Sequence, residues 1–259
     1  MHKIILQLLL IFTFVSCSIY KNNRETIKDD VDFSKRPEHN SKDYGAQFRY
    51  LKTPYLNTSG VKALDLRFRS QIYLEQIATQ IEKQNELFFT SKDKARFTII
   101  NSQTPFHFSL PGKNIFISSG LISKYIKSEK LLYCLIAYEL IRSEKEVYRK
   151  QLLIPTGFMT TEKLLSMMRL GINDKVELHK WAFYLLKRVG IDTDNYLSWL
   201  QIQNRNSIDF SMQLGDISVI SREEALFKAF IVKNTSVTLG RYHEGSSRGF
   251  YAFINNIKR

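Results

Sequence analysis

Cysteine is nearly absent. Only Cys17 and Cys134 occur in 259 residues, which excludes a disulfide-stapled scaffold and a zinc ribbon built on paired thiolates. Five prolines and 11 glycines are too few for a collagen-like or low-complexity chain. No phosphate-binding loop, dinucleotide fingerprint or internal repeat occurs, which sets aside the usual nucleotide chemistries and solenoid folds. No apolar run reaches the length of about 20 residues that a membrane-spanning helix needs. Acids are the minority, 25 against 38 Lys and Arg, for a formal charge of +13. That balance favours anionic partners such as lipid headgroups or acidic proteins, or is simply a basic surface. Nucleic acid ranks last as a partner, because no binding motif accompanies the charge.

What is present begins at the amino terminus. A short basic start, Met1-His2-Lys3, precedes an apolar run from Ile4 to Val15, the length of a signal-peptide core. Phe14-Val15-Ser16-Cys17 resembles a bacterial lipoprotein box, although Phe14 replaces the usual leucine. The resemblance implies cleavage before Cys17, lipidation of Cys17 and an outer-membrane anchor facing the periplasm, with Ser18 as the sorting residue. An ordinary secretory signal is the alternative. Residues 1–16 are therefore expected to be a signal peptide and 17–60 a flexible polar tether. Residues 61–259 are expected to form the folded domain, whose tail from 234 onward is irregular. A hydrophobic content of 44% suffices for a core in a domain of that size.

Periodicity predicts an amphipathic helix over 61–87, with Leu64, Phe68, Ile72, Ile77 and Ile81 as its stripe. A β-branched strand over 95–101 follows, then two short strands, 106–110 and 114–118, around the turn Pro111-Gly112-Lys113. A helix over 121–127 precedes the central one, which runs over 131–149 and changes from apolar to charged at Tyr138-Glu139-Leu140-Ile141-Arg142. Further helices are expected over 161–170, 174–189 and 194–203. Ser221-Arg222-Glu223-Glu224 is expected to be a capping box that opens a last helix, to 232.

Two blocks, FSLPGKNIFISSGL from Phe108 to Leu121 and SEKLLYCLIAYEL from Ser128 to Leu140, resemble zinc metallopeptidases of the HtpX and CAAX-prenyl-protease type. A third, Leu178-His179-Lys180-Trp181-Ala182, is similar to that family's Ala-Asp-x-x-Ala helix. The resemblance implies an α+β, mostly helical, gluzincin-type domain with a small antiparallel sheet or hairpin beside the former active-site helix. It also implies where the chemistry has gone. The family's H-E-x-x-H puts two imidazoles on one helix face to hold zinc, with the glutamate as base. Here those histidine positions are Tyr138 and Arg142, the third-ligand position is Lys175, and the aspartate position is His179. Only Glu139 remains, as a vestigial catalytic residue. No metal is expected, because Arg142 stays charged at any working pH and no histidine lies between His107 and His179.

Glu139 and Arg142 are expected to pair across one helical turn, as a structural substitution rather than a new acid–base centre. His107 and His179 are read as ordinary polar residues, a rebuilt metal site being the alternative. Three functions are weighed. The first is a catalytically inactive envelope lipoprotein that binds polypeptides or protein partners along the strand Phe106, His107, Phe108, Ser109 and Leu110, in outer-membrane protein assembly or quality control by resemblance. The second is a metalloendopeptidase with an unconventional site, and the third a purely structural lipoprotein. Cofactors are expected to be none.

Overall fold

In the computed structural model of the protein, residues 41–148, 157–191, 194–215, 217–234 and 245–258 are described. The helices and strands follow in the order α1 (Ser41–Tyr50), α2 (Lys52–Leu56), α3 (Phe68–Lys83), β1 (Arg96–Ile100), β2 (His107–Leu110) and β3 (Asn114–Ser118). Then come α4 (Ser119–Tyr125), α5 (Glu129–Glu144), α6 (Thr161–Met168), α7 (Ile172–Val189), α8 (Asp194–Arg205), α9 (Ser211–Leu214), α10 (Ile217–Asn234) and α11 (Arg248–Ile257). The class is α+β and mainly helical.

Helix α5 is buried from Leu131 through Ser143. A helix that is apolar on every side belongs inside a domain, and α5 packs against α3, α7, α8 and the sheet. Ser128 caps it by accepting from the Leu131 N–H. Glu129, in its first turn, accepts from the Tyr73 hydroxyl and from the Ser247 N–H and hydroxyl, each at 2.7 Å. One carboxylate thus joins the starts of α5 and α11 to α3.

The sheet has the order β1-β3-β2. The expected antiparallel sheet is corrected here, because β1 runs parallel to β3 while β2 pairs antiparallel with it. The β2–β3 hairpin turns through Gly112 and Lys113, both at positive φ. Both sheet faces are covered, as so small a sheet requires. Phe97, Ile99, Ile115 and Ile117 join the main core around α5. Phe106, Phe108, Leu110 and Phe116 enter a second core with Phe48, Leu51, Tyr55, Leu164 and Leu165. Gly120 fits where no other residue would, since a Cβ there would lie 2.3 Å from the Gln103 carbonyl oxygen.

Several boundaries differ from expectation. Helices α1 and α2 occupy residues 41–56, within the stretch expected to be a tether. Phe48, Leu51 and Tyr55 make an i, i+3, i+7 stripe that α1 and α2 bury in the second core. The first long helix is shorter than 61–87, because Leu64 and Asn101 exchange backbone hydrogen bonds with Ile99 and Lys62 across an isolated bridge beside β1. The tail is not irregular throughout. In it, α11 buries Phe250, Phe253 and Ile257. Ser221 does not cap α10, which starts four residues earlier. Its hydroxyl bonds the Asn204 side chain instead.

Candidate functional site

Helical spacing sets the site up. Tyr138, Glu139 and Arg142 share a face of α5, and Lys175 and His179, four apart, share a face of α7. These two helices pack together, and His107 and Ser109 of β2 point at α5. His107, Tyr138, Arg142, Lys175, His179 and Glu223 line one small cavity of about 30 Å³, room for a water or two.

Glu139 is fully buried. It accepts a hydrogen bond from His107 Nδ1–H at 2.5 Å, whereas Arg142 Nη1 stands 3.9 Å away. The expected Glu139–Arg142 pair therefore exists only loosely, and the close partner is a histidine 32 positions earlier. Arg142 Nη2 donates to the Met168 carbonyl, and its guanidinium lies over the Tyr148 ring. Burial pushes the Glu139 carboxyl up, but the His107 hydrogen bond and the His107 and Arg142 charges outweigh it and leave the group below its ordinary value.

A second, similar unit stands opposite. His179 Nε2–H donates to Glu223 Oε1 at 2.5 Å, Lys175 Nζ is 3.5 Å from Glu223 Oε2, and Tyr196 shares a hydrogen bond with His179 Nδ1. Burial again raises the Glu223 carboxyl, and His179 with Lys175 brings it below its ordinary value. Tyr138 separates the two units. Its ring stacks on His179 at 4.9 Å and meets His107 edge-on at 6.0 Å. Burial and the nearby carboxylates hold its hydroxyl neutral, the Arg142 charge opposing them.

Structure thus brings together all five of Tyr138, Glu139, Arg142, Lys175 and His179, and adds His107 and Glu223. Glu223 carries a signal in retrospect, as an acid inside an apolar helix. Gln213, which also lines the cavity, carries none. Among the described residues no group of three or more His, Cys, Asp or Glu is placed to hold a metal ion. Each carboxylate faces a cation instead, so zinc would meet Arg142 and Lys175 where it needs electron pairs.

The strand proposed for peptide binding, Phe106 to Leu110, is almost wholly buried, with relative exposures of 0–3%. Phe106, Phe108 and Leu110 face the second core. Ser109 donates to the Glu139 carbonyl, and Ser143 donates to the Leu110 carbonyl, which bolts the hairpin to α5. Cys17 lies outside the described residues. Among those described, no helix is long and apolar enough to cross a membrane.

No family model matches the chain, and no curated protein does. Its residues are therefore the whole basis for a functional reading.

Proposed function

We propose that this is a catalytically inactive, metallopeptidase-like lipoprotein of the bacterial cell envelope. It is anchored through Cys17 in the outer membrane, faces the periplasm, holds no zinc, and binds polypeptide or envelope protein partners. The observation that carries the loss of catalysis is the pair of buried cations. Arg142 and Lys175 stand against Glu139 and Glu223 in a cavity too small for a substrate. A hydrolytic zinc lowers the pKa of its bound water to about 7, and here a divalent cation would meet the charges of Arg142 and Lys175 instead of ligands. Polypeptide binding is supported by β2 being an edge strand, the element to which an extended chain can add.

The test is metal analysis of the purified protein, a casein cleavage assay, and a binding assay with unfolded outer-membrane polypeptides. Stoichiometric zinc, or chelator-sensitive cleavage lost in Glu139→Gln, would overturn the inactive reading. Failure to bind any unfolded chain would overturn the binding reading.

One observation favours a second reading, a metal-independent peptidase, which differs from the metalloendopeptidase weighed above. Among the described residues His107 Nε2 is buried without a hydrogen-bond partner, and it belongs to a carboxylate–imidazole pair, the arrangement of a general base. Cleavage that resists chelators and is lost in His107→Asn would select it.

A further inference from the structure

Strand β2 is one edge of the sheet, yet that edge is not open. The His107 N–H, which points away from β3, donates to Gln213 Oε1 at 2.9 Å. In a ladder, the groups of alternate residues point to the same side, so the Ser109 N–H and carbonyl face outward with those of His107. Gln213 belongs to α9, a helix of four residues. One turn has little stability of its own, so its place depends on attachments. Arg169 Nη2 donates to the Met212 carbonyl at 2.9 Å. Phe210, fully buried, packs against Tyr125 and Trp199. Gly215 ends the turn at φ 77°, ψ −115°, a backbone state costly for any residue with a Cβ. A Cβ there would also sit 3.1 Å from Arg169 Nε.

We propose that the turn Phe210–Gly215 is an intrachain plug on the outer edge of β2, with Gln213 standing in for the carbonyl of an added strand, and that an extended polypeptide segment binds by displacing it. This rests on the polypeptide-binding reading above and adds its regulation. The ligand is a polypeptide because the group being satisfied is a backbone N–H on a strand edge, and the adjoining cavity of about 30 Å³ has no room for a small-molecule ligand. A partner strand reads main-chain groups first and side chains second, so the site suits unfolded chains of many sequences. The closed plug covers an edge that could otherwise pair with other copies. It also links ligand to site, since the His107 that loses Gln213 on its backbone holds Glu139 with its side chain.

The experiment uses the full-length protein, fluorescently labelled casein as a permanently unfolded probe, and amide hydrogen exchange at His107 and Ser109. Gln213→Ala removes the stand-in acceptor, Gly215→Ala strains the anchor, and Gln213→Glu keeps an acceptor oxygen. Losing one side-chain hydrogen bond that competes with the ligand should tighten casein binding about threefold to tenfold. The alanine variants should show that gain together with faster exchange at His107 before casein is added, and protection of both amides afterwards. Gln213→Glu, which keeps the acceptor, should show neither the gain in casein binding nor the faster exchange at His107. Equal binding by wild type and the alanine variants overturns the plug and leaves polypeptide binding standing. Binding that leaves the β2 amides unprotected also overturns the plug. Absence of binding by every variant overturns both.

Discussion

Replacing Glu139 with glutamine separates a structural carboxylate from a catalytic one. A carboxylate kept for chemistry is commonly a burden on stability, and its amide is neutral or stabilising. Glu139 should behave in the opposite way. Its side chain is fully buried, takes the His107 Nδ1–H at 2.5 Å, and is the nearest carboxylate to the buried Arg142. Glutamine keeps one acceptor oxygen for His107 but removes the charge. A hydrogen bond to a charged group is worth about 1.5–3 kcal/mol, and breaking a buried ion pair from one side costs about 3–5 kcal/mol. The Arg142 contact is long, and the retained oxygen recovers part of the first term, so the expected loss is about 2–4 kcal/mol. For a domain of this size that is a fall in Tm of roughly 4–16 °C. Equilibrium urea unfolding measures it, with an unchanged slope as evidence that the two end states are preserved. A change within about 0.5 kcal/mol, the range of ordinary surface substitutions, or any gain in stability, refutes the structural assignment. A double-mutant cycle with His107→Asn should return a coupling energy of about 1–3 kcal/mol, and additive losses would show that the pair does not act as one.

The remaining predictions concern acid, packing and metal. Glu139 and Glu223 titrate below their ordinary values when folded, so the unfolded chain binds more protons in acid. Their contribution is complete above the unfolded carboxyl value of about 4.3 and is lost as pH falls through the folded values. Thermal melts from about pH 7 to pH 3 should show stability dropping over the acid end, less steeply in Glu139→Gln, and a flat profile would contradict the assignment. Phe253→Ala empties a fully buried site between α11 and Tyr73 and should cost about 3–5 kcal/mol in urea unfolding. A loss below about 1 kcal/mol would mean that α11 is not docked. Finally, Tyr138→His/Arg142→His/Lys175→Glu restores the ligand set that the family resemblance implies. Metal analysis should find about one zinc per chain in the triple variant, and uptake no greater than that of wild type would count against a metallopeptidase-like scaffold.

What the sequence revealed and hid follows from the range of each signal. Local periodicity made α5, α7 and the Pro111-Gly112-Lys113 turn readable, and helical spacing alone put Tyr138 with Arg142 and Lys175 with His179. The contact between His107 and Glu139 spans 32 positions and two kinds of secondary structure, so no periodicity carries it. The parallel pairing of β1 with β3 is invisible for the same reason, since the intervening β2 hairpin makes an antiparallel reading equally natural. Two apolar stripes were hidden by composition. Phe48, Leu51 and Tyr55, running from α1 into α2, and Phe250, Phe253 and Ile257 in α11, have identical spacing. Each sits among polar residues that read as tether or tail. Glu223 was seen but assigned to a cap, because Ser221-Arg222-Glu223-Glu224 fits the capping pattern equally well inside a helix.

The two interlocked charge units constrain how this protein can change over generations. A substitution at His107, Glu139, Lys175, His179 or Glu223 strands a buried partner, at a cost of about 2–5 kcal/mol against a total stability of about 5–15 kcal/mol. A lineage can therefore leave this arrangement only by paired changes or through a weakened intermediate. Positions 107 with 139, and 175 and 179 with 223, should vary together or not at all among descendants of the same ancestor, while the apolar wall between them drifts freely within its volume.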